Sequence, residues 1–154
     1  MGNRYVIKQN SVTPTAGNDI MTIVSGTTRR VRLVEVSING RGTSSAAQQV
    51  EFGRSTGGTT PGGALTPSKY DHQDQPVAVS VVNTTWGAAQ PTLDTHTETA
   101  GWNALGGAYR WTPPVKGGTG AAGIEVRNGD QISLRATTGV TFQPLSASMV
   151  FEED

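Results

Sequence analysis

The sequence predicts an all-β fold, a jelly-roll-like β-sandwich with long Gly-rich loops. Three observations lead there. Several short segments alternate apolar and polar residues with a period of two. Gly and Pro together supply 28 residues, about 18% of the chain, which implies many turns and long irregular connections. No window of eleven or more residues carries a 3.6-residue period, and only 43–48 has room for a single helical turn. The length of 154 residues fits one domain, 1–154, with residues 1–15 as a candidate N-terminal arm.

Taken in order, 4–8 (RYVIK) is short and mixed, and 20–24 (IMTIV) is apolar. Residues 30–39 (RVRLVEVSIN) form the clearest strand, with Val34, Val36 and Ile38 expected on one face and Glu35 and Ser37 on the other. In 48–54, Val50 and Phe52 fall together, opposite Gln49, Glu51 and Gly53. Residues 77–82 (VAVSVV) are rich in β-branched side chains. Residues 109–112 end at Pro113-Pro114, which cannot continue a ladder. Residues 124–127 and 132–135 flank Asn128-Gly129, a pair suited to the positive φ angles of a tight turn. Residues 145–151 close the chain with Leu145, Ala147, Met149 and Phe151 on one face. About eight short strands at this spacing indicate a sandwich or barrel. Two stretches, 55–75 and 87–107, read as long irregular loops, a class that is usually functional or mobile. Residues 117–123 (GGTGAAG) read as a loop tip.

Net charge is zero with neutral histidines, so charge points to neither a nucleic-acid nor a membrane-surface partner. The charges are nonetheless segregated. Residues 1–54 hold seven basic and three acidic side chains, and residues 55–154 hold five basic and nine acidic ones. That pattern suits pairing between the two halves of one fold, or between subunits. The absence of cysteine removes disulfide scaffolds, zinc knuckles and thiol catalysis. No signal-peptide h-region and no apolar run of membrane-spanning length is present, so a soluble chain made in the cytoplasm is expected.

Motifs for chemistry are scarce. No Gly cluster carries the Lys of a phosphate-binding loop, and no nucleophile elbow occurs. The histidines, His72 and His96, lie in polar loops. Asp71, His72 and Asp74, with His96 from elsewhere, have the chemistry of a metal site. The plainer reading is a solvated turn, and no cofactor is expected. Asn83-Thr84-Thr85 is a formal glycosylation sequon. Trp111, beside a strand end, reads as core. Trp86 and Trp102 serve equally as core fillers or as loop anchors for a partner. Arg29, Arg30 and Arg32 form a basic cluster that suits an acidic partner surface, or simply the solvent face or an edge guard of a strand.

Taken together, NRYVIKQNSVT, TRRVRLVEVSING, VEFGRSTGGTTPGGALTPSKYDHQDQP, GWNALGGAYRWTPP and the closing MVFEED resemble small virion-associated proteins of tailed bacteriophages, of the capsid decoration or cement kind. The resemblance spans most of the chain in style and segment order. It implies a non-enzymatic structural subunit on the capsid surface that binds the phage major capsid protein and forms homo-oligomers, trimers above all. The expected contact residues are Arg4 and Tyr5 in the arm, Arg29, Arg30 and Arg32, and the loop aromatics Tyr70, Trp86 and Trp102. Alternatives are another virion component (tail, neck or head fibre), a carbohydrate- or receptor-binding sandwich using Tyr70, Trp86 and Trp102 for stacking, and a lyase or cupin-like enzyme.

Overall fold

A computed structural model of the protein describes residues 2–70, 76, 78–114 and 123–154. Among them there is no helix. The strands are β1 (Asn3–Val12), β2 (Asp19–Val24), β3 (Arg30–Gly40), β4 (Ala47–Thr56), β5 (Ala64–Leu65), β6 (Ser68–Lys69), β7 (Val81–Asn83), β8 (Thr92–Leu93), β9 (Glu98–Asn103), β10 (Ala108–Trp111), β11 (Ile124–Arg127), β12 (Gln131–Ala136) and β13 (Leu145–Glu153). Six form one antiparallel sheet in the order β10-β3-β13-β1-β6, with β11 also on β3. Seven form the other, β5-β7-β2-β12-β4-β8, with β9 also on β4. The long strands therefore run β1-β13-β3-β10/β11 against β2-β12-β4-β9. Each of β1 to β4 lies in the sheet opposite its predecessor. This is the strand order of a jelly roll, two packed sheets with Greek-key connections.

The core fills the space between the sheets. Val50, Phe52, Ile132, Leu134, Met21 and Ile23 face inward from the seven-stranded sheet, and Ile7, Leu33, Ile38, Leu145, Met149 and Phe151 from the other. The Tyr5 ring stacks on Phe151 at 5.5 Å, and Trp111 meets Phe52 edge-on at 5.2 Å. Trp111 is thus part of the packed interior, as its position beside a strand end suggests.

Several expectations are corrected. Residues 3–12 are not an arm. They form a strand held along β13, from Asn3 opposite Glu153 to Val12 opposite Leu145. The turn expected in 43–48 is a bend that leads into β4, and no helical turn forms. In β3 the register shifts between Leu33 and Glu35, so Val34 is the extra residue of a bulge and leaves the core face, while Leu33, Val36 and Ile38 stay buried. The stretches 55–75 and 87–107 contain β5, β6, β8 and β9, and are less irregular than composition implies. Asn83 is buried opposite Thr22, so the sequon is sheltered inside the fold.

Asn128 and Gly129 do adopt φ of 60° and 86°. The strands they join do not pair with each other, however. β11 adds to β3 in one sheet and β12 lies between β2 and β4 in the other. The tight turn carries the chain across the edge of the sandwich.

Candidate interface on the outer face of the six-stranded sheet

The two outward faces of the sandwich are finished differently. On the seven-stranded sheet, Asp19, Thr22 and Ser133 point outward and are buried beneath residues 86–91. The Asp19 carboxylate accepts from the hydroxyls of Thr22 (2.7 Å) and Ser133 (2.6 Å) and from Arg135 Nε (2.7 Å). Ser133 also meets the Ser55 hydroxyl at 2.7 Å. The covering segment is tied to this group at three points and braced by one bond within itself. Trp86 Nε1 donates to the Thr22 hydroxyl, Gln90 Oε1 accepts from the Asp19 N–H, Gln90 Nε2 donates to the Trp86 carbonyl, and Arg135 donates to the Pro91 carbonyl. This is a buried, satisfied polar cluster, which rigidifies what it joins. It contains a serine and a carboxylate but no imidazole. His96 lies apart, exposed and beside the Thr95 hydroxyl.

On the six-stranded sheet no described segment is bonded over the outer face in this way, and its charges come from strands of opposite ends of the chain. At one end Arg4, Glu152, Arg32 and Glu125 follow one another across β1, β13, β3 and β11. Glu152 receives Arg4 Nε at 2.8 Å and the Arg32 guanidinium on its other oxygen. Arg30 holds Asp154 at 2.8 Å, and Arg127 holds Glu125 at 2.8 Å. Burial of Glu152 works to raise its pKa, but the hydrogen bonds and charges of Arg4 and Arg32 outweigh it and hold the carboxyl below the usual range. Midway along the face Arg110 bonds Glu35 at 2.7 Å, which lowers the Glu35 pKa against a smaller opposing effect of burial. The basic first part and acidic second part of the chain thus meet within one molecule, because β13 inserts between β1 and β3.

Farther along, the face changes character. Lys8, Ser148, Ser37 and Arg110 lie opposite one another on β1, β13, β3 and β10. Beyond them Lys8, Asn10, Asn39, Arg41, Ser146 and Ser148 border a shallow depression of about 240 Å³. A larger open cleft of about 430 Å³ lies at the sandwich edge, bordered by Arg54, Thr92, Leu93, Asp94, Val126 and Asp130 among others.

Of the expected contact residues, Arg4, Arg30 and Arg32 share the charged end of this face. Tyr70 follows β6 beside Arg4, to whose carbonyl its N–H donates, and it is half exposed. Arg29 is exposed in the turn before β3. Three others are corrected. Tyr5 is 1% exposed, stacked in the core with its hydroxyl on the Pro76 carbonyl. Trp86 is 6% exposed and bonded inward to Thr22, and Trp102 is 8% exposed within the core. None of the three offers its ring to a partner. The basic cluster also guards no edge, since β3 lies between β13 and the β10/β11 pair. Asp71, His72 and Asp74, and residues 117–122, lie outside the described residues. Among the described residues no group of three or more His, Asp or Glu side chains converges on a metal-sized site. Lys8, Arg41, Ser146 and Ser148 escape a reading that treats residues 1–15 as an arm. Their signal is the polar alternation Lys8/Asn10, Ser37/Asn39 and Ser146/Ser148.

Comparison with protein families, curated proteins and solved structures yields no match for this chain.

Proposed function

We propose that the protein is a non-enzymatic structural subunit of a phage virion, a capsid decoration or cement protein that docks on the major capsid protein through the open outer face of the six-stranded sheet. The observation that supports this is the contrast between the two outer faces. One is covered over β2 and β12 by its own loop above a buried polar cluster, with Gln49, Thr99 and Gly101 on β4 and β9 left exposed, and the other, among the described residues, is a plane of long strands bearing charges and hydroxyls. Jelly rolls serve in capsids and in lectins alike, so the fold by itself assigns neither role. The phage reading draws on the segment resemblance.

The size of the face bears on oligomeric state. Four strands about 4.8 Å apart, each about nine residues long at about 3.3 Å per residue, span a projected area of about 570 Å². A stable interface uses about 800 Å² per partner. One copy alone falls short of that, whereas three linked copies gain from effective concentration. This arithmetic favours an oligomer over a single copy, and the trimer is what the segment resemblance implies.

The test is light scattering on a sizing column, with and without expanded phage capsids. A trimer that co-sediments with capsids and raises their melting temperature is expected. A monomer that leaves capsids unaltered overturns the proposal. A glycan-binding role through Trp86 and Trp102 has no support from their buried positions.

A further inference from the structure

We propose that the outer face of the six-stranded sheet carries an oxyanion-binding cradle at Lys8, Arg41, Ser146 and Ser148, which takes one carboxylate or phosphate group. The inference stands on the hydrogen-bond state of these side chains and does not depend on the virion assignment.

Ser146 Oγ accepts from Arg41 Nε at 2.6 Å and from the Ser11 N–H at 3.3 Å. Both acceptor positions of that hydroxyl are then occupied, and its own proton is left to donate. Arg41 spends only Nε on Ser146, which leaves its terminal N–H groups available. Among the described residues, the Lys8 ammonium and the Ser148 hydroxyl have no hydrogen-bond or ion-pair partner. Lys8 sits directly opposite Ser148, so the ammonium and the hydroxyl share one face of adjacent strands. The amides of Asn10 and Asn39 stand at the rim.

Anionic acceptors are missing. No carboxylate borders the depression. Glu35, the acid nearest along β3, is already committed to Arg110 and to the Ser37 hydroxyl. A surplus of donors with two cations and no counter-charge selects a ligand that is all acceptor and negatively charged. The depression is shallow and offers two cationic side chains, Lys8 and Arg41. That suits one oxyanion group, not an extended polyanion held by about six to ten phosphate contacts.

The experiment is an amide NMR titration of the full chain with sodium phosphate and with an Asp/Glu-rich peptide, each against sodium chloride at matched ionic strength. Saturable shifts are expected at Ser37, Asn39, Ser146 and Ser148. The double variant Lys8→Gln/Arg41→Gln weakens binding at least tenfold. The charge-matched control Arg29→Gln/Arg54→Gln leaves it unchanged. Saturation by the peptide alone assigns the carboxylate of a partner chain, and saturation by phosphate alone assigns a free oxyanion. Shifts that follow chloride equally, or that survive in Lys8→Gln/Arg41→Gln while its spectrum elsewhere matches wild type, overturn the proposal. The single variant Lys8→Gln, which touches no structural hydrogen bond, gives the same decision if Arg41→Gln disturbs the fold.

Discussion

Replacing Asp19 by Ala tests whether the polar cluster under residues 86–91 holds the fold as its geometry implies. Asp19 is 1% exposed and is the common acceptor for Thr22, Ser133 and Arg135. Its removal strands the Arg135 guanidinium, whose side chain is 16% exposed, without its counter-ion. Breaking a buried pair from one side costs about 3–5 kcal/mol. For 154 residues at about 2.1 cal/mol/K per residue, the unfolding entropy is about 0.32 kcal/mol/K, so each kcal/mol lowers Tm by about 3 °C. The expected loss is about 10–15 °C by thermal circular dichroism. Asp19→Asn keeps the shape and one acceptor, and loses about 1.5–3 kcal/mol as charge-assisted bonds become neutral ones. Amide exchange in 86–91 accelerates in both variants, because Gln90, Pro91 and Trp86 are tied to the same cluster. A midpoint for Asp19→Ala within 2 °C of wild type would refute the reasoning and show that the cluster contributes nothing net.

Two further outcomes follow from single sites. Glu152 has a folded-state pKa held below its unfolded value, so its contribution is complete above about pH 4.3 and fades as pH falls through the folded pKa. Glu152→Gln therefore lowers stability near pH 7 and flattens the fall below about pH 4.3 in urea titrations, leaving the part of the fall that Glu35 supplies with the same sign; an unaltered acid slope contradicts the ladder. At Gly62 a Cβ would lie 1.9 Å from the Thr85 carbonyl oxygen, so Gly62→Ala forces the backbones apart and costs about 1–3 kcal/mol, measured by urea denaturation, whereas a neutral result would show that this approach can relax.

The parts of the fold legible in the sequence are those whose signal is local. β11, the Asn128-Gly129 turn, β12 and β13 show alternation or turn chemistry within a dozen residues. The bulge at Val34 is not legible, because an extra residue in a β-branched run alters no composition and shows only when β13 sets the register. β9 hides because Ala100 and Gly101 have poor strand propensity; its inward pair Ala100 and Trp102 is defined by β4 alongside. Tyr5 and Ile7 alternate correctly for a strand, but nothing nearby in the chain reveals that their partner is β13. Trp86 is decided by an indole N–H bond to Thr22, 64 positions earlier. The open face is legible only in fragments, since Lys8, Arg41 and Ser146 meet through pairings across most of the chain.

The acidic end of β13 shows how that long-range pairing is specified. Three consecutive acids are captured by three separate sets of partners on alternating sides. Glu152 points outward between Arg4 and Arg32. Glu153 points inward and accepts from the N–H groups of Val79 and Ser80 and from the Ser80 hydroxyl. Asp154 turns outward again to Arg30. A slip of one residue would turn Glu153 toward the arginines and drive Glu152 into a site lined by Tyr5 and Phe151, losing all three captures at once. Hydrophobic alternation alone specifies such a strand weakly at this end, because Val150 and Phe151 are both apolar and both buried. The charges supply the missing information. They favour one register of β13 between β1 and β3, and that register is what places Ser146 and Ser148 between Lys8 and Arg41 at the opposite end of the same face.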